Sequence, residues 1–131
     1  MATRILAVDD EPDILRLIEI KLNKAGFEVL TASDGEEGLR LALAEKPALM
    51  IVDVMMPGLD GYQVVSRAKE QLGDEAPIAI FLTAKGQESD VLQGFTSGAD
   101  DYMMKPFSPQ ELVERITVAL VKAGRSAGHG Q

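Results

Sequence analysis

Four short apolar runs in this chain each stop at a residue type able to do chemistry: ILAV before Asp9 and Asp10, LMIV before Asp53, IAIFL before Thr83, and YMM before Lys105. Three carboxylates drawn together repel one another, and a proton or a cation relieves that repulsion. A hydroxyl and an ammonium beside them can hold the oxygens of an anionic group. Together these are the ingredients of a metal and phosphate site. Singly, each has a plainer reading: Asp10 as a helix cap, Thr83 as a loop cap, Lys105 as a solvated charge at a strand end. The joint reading requires parallel strands that end together, because ligands of open α/β sheets bind outside the carboxyl ends of the strands.

The rest of the chain meets that requirement. From residue 4, apolar runs alternate five times with longer amphipathic stretches, the pattern of repeated βα units and a parallel sheet. Strands are expected at Ile5–Val8, Phe27–Ala32, Ala48–Val52, Ile78–Leu82 and Asp101–Met104. Asp10 and Pro12 cap and open the first helix, in which Ile14, Leu17, Ile18 and Leu22 recur at helical spacing, and Gly26 closes it. Helices follow at about Glu36–Glu45, Tyr62–Leu72 and Glu88–Ser97, the last stopped by Gly98. Ser108-Pro109-Gln110-Glu111 joins a capping box to a proline at the first helical position, so a final helix to about Val121 is expected. The unbroken run Ala48–Val52 suits a central strand covered on both faces.

A length of 131 residues fits one domain, expected over residues 1–123, with the small polar stretch 124–131 as a flexible tail or truncated linker. With 46% hydrophobic and 26% charged residues the chain can bury a core without staples. It has no cysteine, which excludes disulfides and thiolate chemistry. No apolar stretch approaches the roughly 20 residues of a membrane span, and MATRILAVDD lacks the features of a secretory signal, so a cytoplasmic location is expected. The net charge of −8, from 21 acids against 13 bases, repels a phosphate backbone, and direct nucleic-acid binding is not expected.

The segments AVDDEPD, LMIVDVMMPGLDGYQ, FLTAK and GADDYMMKPF, with the spacing between them, resemble the response-regulator receiver domain, the phosphoacceptor module of two-component signalling. The resemblance runs from residue 4 to about residue 122. It implies a doubly wound (βα)5 fold, with a five-stranded parallel sheet of order 2-1-3-4-5 and helices on both faces. It also implies Mg2+-dependent transfer of a phosphoryl group to Asp53 from the phosphohistidine of a sensor histidine kinase or a histidine phosphotransfer domain. Such a module catalyses its own phosphorylation and dephosphorylation without being a conventional turnover enzyme.

Physical chemistry accounts for the residue types. Asp53 is expected to be the nucleophile, its carboxylate attacking a phosphoryl group in line and becoming an acyl phosphate. Magnesium takes few protein oxygens and keeps waters, so Asp10, Asp53 and the backbone carbonyl of Met55 are the expected ligands, with Asp9 acting through water. Lys105 and the Thr83 hydroxyl would each hold a phosphoryl oxygen. Three carboxylates, Mg2+ and Lys105 sum to zero formal charge, and phosphorylation adds about one negative charge for the cations to offset. Resemblance alone implies a cis bond between Lys105 and Pro106, since only about 5–6% of X–Pro bonds are cis.

Added charge is useful only where it biases a two-state element. By resemblance that element is Thr83 with Tyr102: the hydroxyl swings to the phosphoryl group and the aromatic turns inward. The face made by the fourth helix, the fifth strand and the last helix, roughly Glu88 to Phe95 with Tyr102, Met103 and the helix from Ser108, then changes. From the residues alone, Tyr102 is better read as an edge-strand aromatic packed on the core. Met55, Met56, Met103 and Met104 read as core and loop filling, and His129 has no assigned role. Asp90 is followed by Val91, where some receivers that dimerise through the fourth helix carry a basic residue, so a monomer or a weak phosphorylation-linked dimer is expected. Met55 and Lys85 flank the path of a hydrolytic water, and neither is a carboxylate or amide able to orient it. A long-lived phosphoryl group is therefore expected.

Two rivals share some of these residues. A haloacid-dehalogenase-like phosphatase also uses an aspartate nucleophile, Mg2+, a Thr and a Lys, but wants a second acid two residues after the nucleophile, where this chain has Met55. A flavin-binding flavodoxin-like module needs hydroxyls and glycine after the first strand. Here that loop is Asp9-Asp10-Glu11-Pro12-Asp13, which repels phosphate.

Overall fold

The computed structural model describes residues 2–84 and 100–124. In chain order the elements are β1 (Arg4–Val8), α1 (Pro12–Lys24), β2 (Glu28–Ala32), α2 (Gly35–Glu45), β3 (Leu49–Asp53), α3 (Gly61–Leu72), a 3-10 turn (Gly73–Glu75), β4 (Ile78–Ala84), β5 (Asp101–Lys105) and α4 (Pro109–Lys122). The helix expected at Glu88–Ser97 with its Gly98 stop, the Asp90–Val91 pair, Lys85 and His129 lie outside the described residues.

All strand pairs are parallel, and the order is β2-β1-β3-β4-β5. The central place falls to β3, all of whose residues are buried, as its unbroken apolar run requires. Alternate strand residues feed two cores. Ile5, Ala7, Leu49, Ile51, Ile80, Leu82 and Met103 meet Ile18 and Leu22 of α1 and Leu112, Ile116 and Leu120 of α4. Leu6, Val8, Met50, Val52, Ala79 and Phe81 meet Ala42 of α2 and Val64, Val65 and Ala68 of α3. The helices are held by these faces. Truncating the fully buried Ile116 to Ala is expected to cost about 2–5 kcal/mol.

Helix starts differ from expectation in two places, each for a local reason. Pro12 occupies the first turn of α1, which puts Glu11 and not Asp10 at the N-cap, and no side chain caps that helix. Asp10 is left exposed at the strand-end edge. At α4, Ser108 Oγ accepts the Glu111 N–H at 3.0 Å, but the Glu111 carboxylate turns to Arg115 (3.1 Å), so the return half of the box goes elsewhere. The complete capping box lies at α3, where Asp60 and Gln63 satisfy each other's backbone N–H groups at 2.9 Å.

Candidate active site

Register puts the expected residues at one edge. Val8 pairs with Val52, so Asp9 and Asp53 leave the sheet side by side, while Asp53 pairs with Leu82, Thr83 with Met104, and Ala84 with Lys105. By strand alternation Asp9, Asp53 and Lys105 continue the face covered by α1 and α4, and Thr83 continues the face covered by α2 and α3. Among the described residues, the buried polar or charged side chains are Asp9, Asp53 and Thr83, and all three stand here. Burying such groups is unfavourable unless they are paired, so their concentration at one edge marks a site.

Oxygen atoms of Asp9, Asp10 and Asp53 lie within 4.8 Å of one another. The backbone fixes two of these carboxylates: Asp9 Oδ1 accepts the Glu11 N–H at 2.9 Å, and Asp53 Oδ1 accepts the Met55 N–H at 3.3 Å. Gly61 permits the fit behind them, because a Cβ there would stand 2.4 Å from the Asp53 carbonyl oxygen. A hollow of about 370 Å³ lined by Arg4, Lys46, Pro47, Ala48 and Glu75 lies at the opposite end of the sheet, away from these groups.

Lys105 supplies the counter-charge. Its Nζ lies 3.0 Å from Asp9 Oδ2, 3.2 Å from Asp53 Oδ2 and 2.8 Å from Glu11 Oε1. Burial works against the ammonium, but the close contacts with the Glu11 and Asp9 carboxylates and the charges of Asp53 and Asp9 outweigh it, so its pKa is raised. Asp53 is pushed from 3.8 up to about 6, first by burial and then by the charge of Asp9, against the pull of Lys105 and the Met55 N–H. Asp9 Oδ2 is paired with Lys105 by charge without an aligned hydrogen bond, and remains a buried oxygen short of a donor. Three clustered carboxylates with such an oxygen form a hard-oxygen donor set of the kind a divalent cation takes.

The remaining expected residues are placed as follows. The Lys105–Pro106 bond is cis. Thr83 is buried one residue past the register partner of Asp53. Tyr102 pairs in register with Phe81, their ring centroids 5.7 Å apart, and Phe81 in turn meets Tyr62 edge-on at 5.0 Å. Of the four methionines expected to fill core and loop, Met56 and Met103 do so. Met55, in the loop after β3, and Met104, on the edge strand, are 60% and 40% exposed, so the filling role does not hold for them.

Sequence reasoning missed two residues. Glu11 reaches Lys105 across a separation of 94 positions, which no local pattern signals. Arg115 ties β5 to α4: its guanidinium meets both Asp101 oxygens at 3.1 and 3.2 Å, the Tyr102 carbonyl at 2.9 Å and Glu111 at 3.1 Å. Its spacing of four from Glu111 on one helix was the available clue.

This arrangement can be set beside known proteins. The family model described as the response regulator receiver domain matches residues 5–117. The chain belongs to that family.

This receiver domain is 48% identical over 120 residues to the alkaline phosphatase synthesis transcriptional regulatory protein PhoP of Bacillus subtilis, covering 92% of this chain and 49% of that protein. To the transcriptional regulatory protein SrrA of Staphylococcus aureus it is 45% identical over 120 residues, covering 92% of this chain and 48% of that protein. The chain thus spans about half the length of the curated relatives it matches. Among solved structures, the chemotaxis protein CheY4 of Vibrio cholerae superposes with a TM-score of 0.86 at 31% identity, covering 92% of this chain and all of that one (100%). A CheY-like receiver domain protein of Methanospirillum hungatei gives 0.88 at 29% identity, covering 95% and 98%. Membership of the receiver family sets aside the phosphatase and flavin readings. No helix among the described residues is long and apolar enough to cross a membrane.

Proposed function

We propose that Asp53 is the phosphoacceptor of this receiver domain. An Asp53 carboxylate oxygen attacks phosphorus in line, forming a P–O bond as the P–N bond of a donor phosphohistidine breaks. The imidazole leaves with the electron pair of the broken bond and takes up a proton. The product is a mixed anhydride of the carboxylate and the phosphoryl group. Asp10, Asp53 and the Met55 carbonyl would hold Mg2+, with Asp9 acting through water, and the ion would supply charge stabilisation at the phosphoryl oxygens. Lys105 receives one phosphoryl oxygen and the Thr83 hydroxyl another.

The observation that carries this reading is the 3.2 Å contact between Lys105 and a buried Asp53 flanked by Asp9 and Asp10. A buried carboxylate with an ammonium already beside it has at hand the cation that can offset its new charge. Output follows through Thr83 and Tyr102, which share the face of β4 and β5 that carries Phe81. Movement of the Thr83 hydroxyl toward the phosphoryl group frees space for the Tyr102 ring, and the β5–α4 surface changes with it.

The phosphodonor on this reading is a sensor histidine kinase or histidine phosphotransfer domain, the output partner is a fused or separate effector, and the setting is cytoplasmic. Borohydride reduction after phosphorylation converts an acyl phosphate to an alcohol, so peptide mass mapping should find homoserine at position 53. Homoserine elsewhere, or at no position, would refute the assignment.

A further inference from the structure

We infer that Glu11 is a positioning residue for Lys105, an anionic placeholder that occupies the direction a phosphoryl oxygen must take on the ammonium. The inference rests on the phosphoacceptor reading of Asp53. An ammonium has three N–H donors, and here three carboxylates surround it: Asp9 at 3.0 Å, Asp53 at 3.2 Å and Glu11 at 2.8 Å. The Asp9 and Asp53 side chains are 0% and 8% exposed and stand on strand ends, whereas that of Glu11 is 59% exposed. A new oxygen reaching Lys105 therefore displaces Glu11 with the least rearrangement.

Local structure leaves Glu11 free for this task. Its backbone is pinned, with its N–H bound to Asp9 Oδ1 at 2.9 Å and its carbonyl accepting from Ile14 and Leu15 at 3.1 and 3.2 Å. Its side chain sits at the N-cap of α1, where a Ser, Thr or Asp would accept a first-turn N–H, yet it makes no capping bond. Among the described residues, the reach to Lys105 is the interaction that fixes that carboxylate. The competing explanation is that Glu11 only places negative charge at a helix start, which the helix dipole favours. Glu11→Asp separates the two, since it keeps the charge and shortens the reach by one methylene.

The test compares the native chain with Glu11→Gln, Glu11→Asp and, as a charge control, Asp13→Asn in the exposed first turn of α1. Two quantities are read: the 15N–1H signal of the Lys105 ammonium in metal-free protein, and the rate of adduct formation with acetyl phosphate and Mg2+. Both Glu11 variants should shift the Lys105 signal and form adduct roughly two- to five-fold faster, the scale of an exposed ion pair. Asp13→Asn should leave the Lys105 signal in place and stay near the native rate. A native-like Glu11→Asp, or a Glu11→Gln no different from the native chain, overturns the placeholder role while leaving Asp53 as acceptor. Absence of any adduct on the native chain overturns the acceptor reading and this inference with it.

Discussion

Lys105 Nζ lies 3.2 Å from Asp53 Oδ2, so the carboxylate proposed as acceptor and the cation proposed to offset its new charge are in direct contact. The pair does not neutralise the edge. Among the described residues, Asp9, Asp10, Glu11 and Asp53 stand against the one ammonium of Lys105, and that surplus of negative charge is what a divalent cation would relieve.

Burial of Asp53, and after it the charge of Asp9, sets the pH dependence of the metal-free protein. The folded-state pKa of Asp53, about 6, lies above its ordinary 3.8, so folding favours the protonated form. The associated stability is fully present below about pH 4 and is lost as pH rises through 6. Asp53→Asn should therefore stabilise the EDTA-treated protein at pH 7.5 by on the order of 1–3 kcal/mol, and the gain should shrink toward zero by pH 4. Urea unfolding of both chains at the two pH values checks this; an equal gain at both would contradict it.

Added Mg2+ should raise the unfolding midpoint near neutral pH, by about 1.4 kcal/mol of stability when its concentration is ten times Kd. Asp10 is exposed and caps no helix, so Asp10→Asn should fold normally and lose that increment. Thermal melts with and without the ion measure it, and a full Mg2+ shift in Asp10→Asn would remove Asp10 from the ligand set.

Gly61→Ala should destabilise the fold by about 1–3 kcal/mol, because the new Cβ would meet the Asp53 carbonyl oxygen at 2.4 Å and the start of α3 must move. The same movement disturbs the backbone that carries Asp53, the proposed acceptor. Adduct formation should slow even at temperatures where the variant is fully folded, and an unchanged rate there would show that the close approach serves packing alone.

Met55 is 60% exposed at the mouth of the site, and its thioether cannot orient water. Met55→Asn supplies an amide at that position. Loss of the phosphoryl group, followed by intact mass over time, should speed up on the order of tenfold, a fraction of what a positioned base provides. Unchanged or slower loss would count against Met55 as a determinant of phosphoryl lifetime.

The strand-end residues were legible because each closes an apolar run, and parallel βα repeats leave such ends no other common edge. The run at Ala48–Val52 likewise announced the buried centre of the sheet. Asp10 was misplaced as a cap because proline in the first turn of α1 assigns the cap to the residue before it, Glu11. The return bond of the Ser108 box was lost to Arg115, a helical neighbour that competes for the same carboxylate. Glu11 was invisible for a different reason: its partner lies 94 positions away, and only the folded edge brings them together. A charge count from sequence that stopped at Asp9, Asp10 and Asp53 was one carboxylate short.

Intact mass after incubation with acetyl phosphate probes the acceptor most directly. With Mg2+ the native chain should gain one phosphoryl group, while Asp53→Asn, and the native chain in EDTA, should gain none. An adduct of equal yield on Asp53→Asn, or none on the native chain with Mg2+ present, would contradict Asp53 as the residue that carries the signal.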